Sequence, residues 1–184
     1  MNNIENNSLK KRYFYKITTN FVGLGINLLT QTIIPRGLGP RSYGDFIFLT
    51  NFFNQLVGFF DMGTSIGFYT KISRRQREFG LVSFYIYFAI VASMIMMVFT
   101  VLSVSTSIHV SLWPDQGIFY IFLAALWGIL TWFVLILYKI GDAYGLTISA
   151  EMARISQKIL GFVLIIFLFF FKQLTLKNFF FIIT

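Results

Sequence analysis

The chain has no cysteine, one histidine, three prolines and only seven acidic residues in 184 positions. Without cysteine there is no disulfide framework, no thiolate metal site and no thiol nucleophile. The apolar segments hold no His–Asp pair, no paired carboxylates and no phosphate-cradling motif beyond isolated glycines, so neither an enzyme nor a metal or cofactor site is expected. His109, in a short loop near Asp115, reads as a surface histidine. No internal repeat, Ser/Pro-rich linker or second domain interrupts the chain.

What is present is apolar. Hydrophobic residues make up 57% of the sequence, with 24 phenylalanines, which leaves too little polar surface to cover a soluble globule. The net charge of +8 does not point to nucleic acid, because the basic residues sit in short segments between apolar runs. The expected solvent is the lipid bilayer.

The apolar runs predict an all-α, polytopic membrane bundle. Residues 13–34 and 46–69 are each long enough, at about 1.5 Å per residue, to cross a hydrocarbon core of roughly 30 Å. Further spans are expected at 81–105, 118–138 and 151–171, the last taking Arg154 and Lys158 into its first turns, where they snorkel or face a cavity. Residues 178–184 read as the start of a sixth span, giving five complete spans in one transmembrane domain, 13–184, behind a tail at 1–12. No cleavable signal peptide is apparent, since the first apolar run contains Asn20, Asn27 and Gln31 and lacks a small-residue cleavage site. All three prolines, Pro35, Pro40 and Pro114, are expected in the loops on the non-cytoplasmic side, leaving the helix interiors unbroken, with Pro40 suited to the first turn of the second span.

Charge orients the bundle. With the N-terminus in the cytoplasm, the inside segments carry Lys10, Lys11, Arg12, Lys16, Lys71, Arg74, Arg75, Arg77, Lys139, Arg154 and Lys158. Only Arg36, Arg41, Lys172 and Lys177 fall outside. Eleven against four predicts a cytoplasmic N-terminus. Tyr85, Tyr87, Trp113 and Tyr138 lie near the predicted span ends and read as interfacial anchors.

Two spans carry polar stripes. At 100° per residue, Lys16, Asn20, Gly23, Asn27 and Gln31 fall within about 80° of one another on the first helix. Asn51, Asn54, Gln55, Gly58, Asp61, Met62 and Ser65 share a face of the second. Amides and an ionised Asp are costly in hydrocarbon, so these faces are expected to turn from lipid. Either they are packing glue between helices, or they line a hydrophilic substrate cavity with Lys16 near its mouth. Asp61 reads equally as a coupling-cation ligand, a proton carrier or a carboxyl capped by its neighbours.

The turn Leu38-Gly39-Pro40-Arg41-Ser42-Tyr43-Gly44-Asp45-Phe46, followed by Phe60-Asp61-Met62-Gly63 and Lys71-Ile72-Ser73-Arg74-Arg75, resembles the opening of Wzx-type polysaccharide biosynthesis proteins, the O-antigen and capsule flippases related to multidrug and toxin extrusion transporters. The resemblance rests on motifs over roughly residues 13–80 and on span order beyond. It implies the N-terminal lobe of a two-lobe transporter in the bacterial cytoplasmic (inner) membrane, translocating an undecaprenyl-pyrophosphate-linked oligosaccharide. The candidate cavity residues are then Lys16, Asn20, Asn27, Gln31, Asn51, Asn54, Gln55 and Asp61, and Lys16, Arg36 and Arg41 would offer charge to the pyrophosphate or an acidic sugar. Partners would be the bilayer, the lipid-linked substrate, and a C-terminal lobe or a polysaccharide polymerase complex. The sequence itself reads as a fragment, inactive alone. Two alternatives stand beside the flippase: a drug or cation antiporter using Asp61, and a membrane scaffold that transports nothing.

Overall fold

Gly39 alone separates the first two helices. In the computed structural model, which describes residues 2–74 and 79–183, α1 runs from Asn2 to Leu38 and α2 from Pro40 to Asp61. Gly39 adopts φ 79°, a left-handed angle that side chains resist, and Pro40 supplies the preset first turn of α2. Arg75, Arg77 and Thr184 lie outside the described residues.

Two expectations change here. Pro35 lies inside α1 rather than in a loop, because the helix continues one turn past it. The hydrogen bond lost by its missing N–H falls near the helix end, and the Gly39 N–H closes that end on the Pro35 carbonyl at 3.0 Å. The second predicted span is not one helix: it breaks at Met62 and Gly63, both at positive φ, before α3 (Thr64–Arg74).

The remaining helices are α4 (Phe79–Ser105), α5 (His109–Leu112), α6 (Ile118–Ala143), α7 (Thr147–Phe170) and α8 (Leu176–Ile183). Among the described residues, four helices are long and apolar enough to cross a membrane: Tyr13–Leu38, Gly80–Ser105, Ile118–Ala143 and Thr147–Phe170. The chain is a multi-pass helical membrane protein. At 22 residues α2 is long enough to span, about 33 Å of helix, but Asn51, Asn54 and Gln55 dilute its apolar face.

Helix α6 is the hub, packing against α2, α3, α4, α7 and α8, whereas α1 leans mainly on α7. Small residues let backbones approach, as expected where lipid removes the hydrophobic drive between helices. A Cβ at Gly128 of α6 would come 3.2 Å from the Phe53 Cβ of α2. Ala89 and Ala92 of α4 are buried with Trp132 and Ile136 of α6. At the bundle's far side Phe46 meets Phe179 and Phe180 of α8 edge-on, with ring centroids 4.8 and 5.2 Å apart.

Tyr85 and Trp113 are not interfacial anchors. Each is 1% exposed, Tyr85 stacked on Phe68 at 4.6 Å and Trp113 on Phe53 at 5.8 Å. The connection through α5 folds back over the helix ends and carries Trp113 into the core, where burying a large ring among aromatic neighbours outweighs an interfacial position. His109 is correspondingly half-buried in the first turn of α5. Tyr87, by contrast, is 65% exposed.

Successive long helices alternate in direction, counting α2 and α3 as one. One end of the bundle gathers Lys16, Asp61, Lys139, Asp142 and Glu151. The other gathers Gly37 beside Leu174, and Asp45, which accepts a 2.9 Å hydrogen bond from Gln116.

Candidate functional site

The site begins with a turn of three residues. Helix α6 ends in a Schellman motif: the Gly145 N–H donates to the Asp142 carbonyl at 3.0 Å and the Leu146 N–H to the Gly141 carbonyl at 2.8 Å. Gly145 takes the left-handed position, φ 79°, and α7 starts at Thr147. The reversal sets the last turn of α6, with Lys139 and Asp142, against the first turns of α7, with Glu151 and Arg154. Helix α1 then lays Lys16, Thr19 and Asn20 across both.

Six side chains are joined directly, two as an ion pair and four as a second cluster. Lys16 Nζ lies 3.0 Å from Asp142 Oδ2. Arg154 Nη2 lies 2.6 Å from Glu151 Oε2 and donates to Asn20 Oδ1 at 2.7 Å. Thr19 Oγ1 donates to the same Glu151 oxygen at 2.9 Å. Burial ranks these contacts. The Lys16–Asp142 pair is open, its side chains 47% and 25% exposed, so it contributes about 0–1 kcal/mol. The Glu151 side chain is 10% exposed, and removing its cation would leave a buried carboxylate uncompensated at a cost of about 3–5 kcal/mol.

Between these helices lies a cavity of 330 Å³ lined by Lys16, Tyr138, Lys139, Asp142, Glu151 and Arg154, among others. Arg154 also borders a second cavity of 300 Å³ further along α1 and α7, where Asn27, Thr30, Gln157 and Lys158 meet Trp127. The two meet at Arg154 and make a groove in which cations, carboxylates and amides stand among a mostly apolar lining. Such a surface can bind a hydrated or anionic group, and its closest ion pairs must part or rearrange for a ligand to displace them.

A neighbouring network surrounds Asp61. Ser65 Oγ donates to Asp61 Oδ2 at 2.7 Å, Trp132 Nε1 to Asp61 Oδ1 at 3.4 Å, and Lys139 Nζ to Ser65 Oγ. The carboxyl is half-buried at the α2–α3 break and its two oxygens are already engaged.

Of the residues singled out in the sequence, Lys16 and Asn20 enter the groove and Asn27 lines its extension. Gln31, Asn51, Asn54 and Gln55 are exposed on the outer faces of α1 and α2. They do not pack within the bundle, and Asp61 sits apart with Ser65. Arg36 and Arg41 are exposed at the opposite end. Twenty helical residues, about 30 Å, separate Arg36 from Lys16, so the three expected cations do not converge on one phosphate.

Thr19, Asp142 and Glu151 belong to the site and were not expected there; Lys139 was expected only as a topology determinant. One signal was legible: Lys139/Asp142 and Glu151/Arg154 are opposite charges three apart, on either side of a glycine turn. No known protein family, curated protein or solved structure matches the chain.

Proposed function

We propose that the chain forms one lobe of a two-lobe transporter of polysaccharide biosynthesis, moving an undecaprenyl-pyrophosphate-linked oligosaccharide across the bacterial cytoplasmic membrane. In this reading α2 and α3 together make a fifth span, α8 opens a sixth, the N-terminus is cytoplasmic, and the protein performs no chemistry on its cargo. Beside the motif resemblance, one observation carries the proposal. Asn27 and Gln31 of α1, and Asn51, Asn54 and Gln55 of the adjacent α2, are exposed on the lobe rather than hydrogen-bonded inside it. Amides facing hydrocarbon are costly, so these exposed positions call for water or a second protein surface, as the wall of a cavity between two lobes would have. The groove bearing Lys16 and Arg154 would then adjoin that cavity and favour an anionic, sugar-rich cargo over a purely apolar one.

The antiporter reading draws on Asp61. Its oxygens already accept from Ser65 and Trp132, which favours a structural carboxyl over a cation ligand.

The test is replacement of Asn27, Gln31, Asn51 and Gln55 by Leu in the cell that carries the protein. Leu is well tolerated in helices and in lipid, so membrane levels should hold while surface polysaccharide is lost and lipid-linked oligosaccharide accumulates on the cytoplasmic side. Normal surface polysaccharide in the quadruple variant would reject the cavity and leave a scaffold role.

A further inference from the structure

At the opposite end of the bundle, α7 closes with the same Schellman hydrogen bonds as α6, but with a different residue at the critical position. The Lys172 N–H donates to the Phe169 carbonyl at 3.1 Å and the Gln173 N–H to the Leu168 carbonyl at 3.0 Å. Where α6 has Gly145, α7 has Lys172, at φ 53°. Glycine is the ordinary occupant of this left-handed site because any Cβ is strained there. A strained lysine at a helix end calls for an account of what its side chain does.

Its neighbours supply one. Lys172 lines a 410 Å³ pocket with Arg36, Gly37, Phe169, Phe170 and Leu174. The pocket is held together by close contact: a Cβ at Gly37 would come 2.5 Å from Leu174 Cδ2 and 3.1 Å from Phe169 Cδ2, so glycine lets α1 seat against the α7–α8 turn without displacing Leu174. That seating sets Arg36 beside Lys172. The pocket has two cations and no acidic residue, and among the described residues neither cation forms an ion pair. Arg36 stands in the last turn of α1 and Lys172 just past the end of α7, so both lie at the level where two membrane-spanning helices leave the hydrocarbon. Phe170 and Phe171, 78% and 60% exposed, flank them on the apolar side.

We infer that this pocket is a binding site for the phosphate headgroup of an anionic membrane phospholipid, gripped by Arg36 and Lys172 while its acyl chains lie along Phe170 and Phe171. A guanidinium and an ammonium converging beside exposed rings, at a bilayer boundary, match a phosphodiester that carries hydrocarbon. The inference is independent of any transport role.

Native mass spectrometry of the full chain tests it, with phosphatidylglycerol, phosphatidylcholine and soluble glycerol 3-phosphate as probes. Wild type should retain phosphatidylglycerol over phosphatidylcholine. Arg36→Gln and Lys172→Gly should each weaken phosphatidylglycerol about fivefold, the equivalent of about 1 kcal/mol per basic residue, while Arg41→Gln, at the same end but outside the pocket, should not. Lys172→Gly also removes the backbone strain, so its loss of lipid cannot be assigned to a damaged helix end. Equal retention of the two lipids, an Arg41→Gln effect as large as that of Lys172→Gly, or glycerol 3-phosphate binding as tightly as phosphatidylglycerol would overturn the assignment.

Discussion

Gly23 of α1 and Lys158 of α7 stand so close that a Cβ at residue 23 would lie 3.0 Å from the lysine ammonium nitrogen. The missing side chain makes the space in which a half-buried cation runs between two helices. Gly23 was assigned to the first polar stripe by spacing alone; its part in the structure is to admit Lys158.

The two outcomes at residue 23 differ in sign. The obstructing atom is the tip of a flexible side chain, so Gly23→Ala should be accommodated and gain up to about 1 kcal/mol from better helix propensity. Gly23→Leu should overpack the α1–α7 seam and cost about 1–3 kcal/mol. Thermal unfolding of the two variants in one detergent reads the difference. Equal loss from both would mean the seam has no room to yield.

Burial predicts the order of effects around the charged groove. Arg154→Ala leaves Glu151 nearly buried with only Thr19 to donate to it, and should destabilise by about 3–5 kcal/mol. Lys16→Ala breaks a pair open to its surroundings and should cost no more than about 1 kcal/mol. Adding Glu151→Gln to Arg154→Ala should recover part of the loss, because it removes the stranded charge. Denaturant unfolding of the two single variants and the double variant gives the ranking directly, and a larger effect at Lys16 would reverse it.

Topology can be read with the chain's own lack of cysteine. Ser73, in the last turns of α3, and Ser107, between α4 and α5, lie at opposite ends of α4 and both are exposed. A membrane-impermeant thiol reagent applied to intact cells should label Ser107→Cys and spare Ser73→Cys until the membrane is permeabilised. The opposite pattern would invert the orientation drawn from the basic residues.

The sequence announced the apolar helices more readily than their joints. Helices α4 and α6 follow from uninterrupted apolar runs, and α7 from a shorter run extended back through Arg154 and Lys158, with ends shifted by a few residues. The break at Met62–Gly63 was hidden because apolar residues continue on both sides, so composition alone draws one helix through it. Pro35 misled in the other direction: it signals a loop, yet a proline near a helix end disturbs little. The groove was half legible. Lys16 and Asn20 stood out as polar residues in an apolar run, but their partners Asp142 and Arg154 lie more than 120 residues away and looked like charges at span boundaries. Only the Gly145 turn shows that those boundaries belong to one site.

The distance along the chain between Lys16 and Asp142 has a consequence for biosynthesis. The two are 126 positions apart, and at ribosomal rates of about 5–20 residues per second the carboxylate is made roughly 6–25 s after the lysine. Helix α1 leaves the ribosome more than a hundred residues ahead of α7, its main packing partner. During that interval Lys16 lacks its Asp142 partner, and the Thr19 hydroxyl has only the Lys16 carbonyl of its own helix to donate to. Docking of α1 therefore waits for α7, so an earlier-made helix packs only after a later one has been inserted.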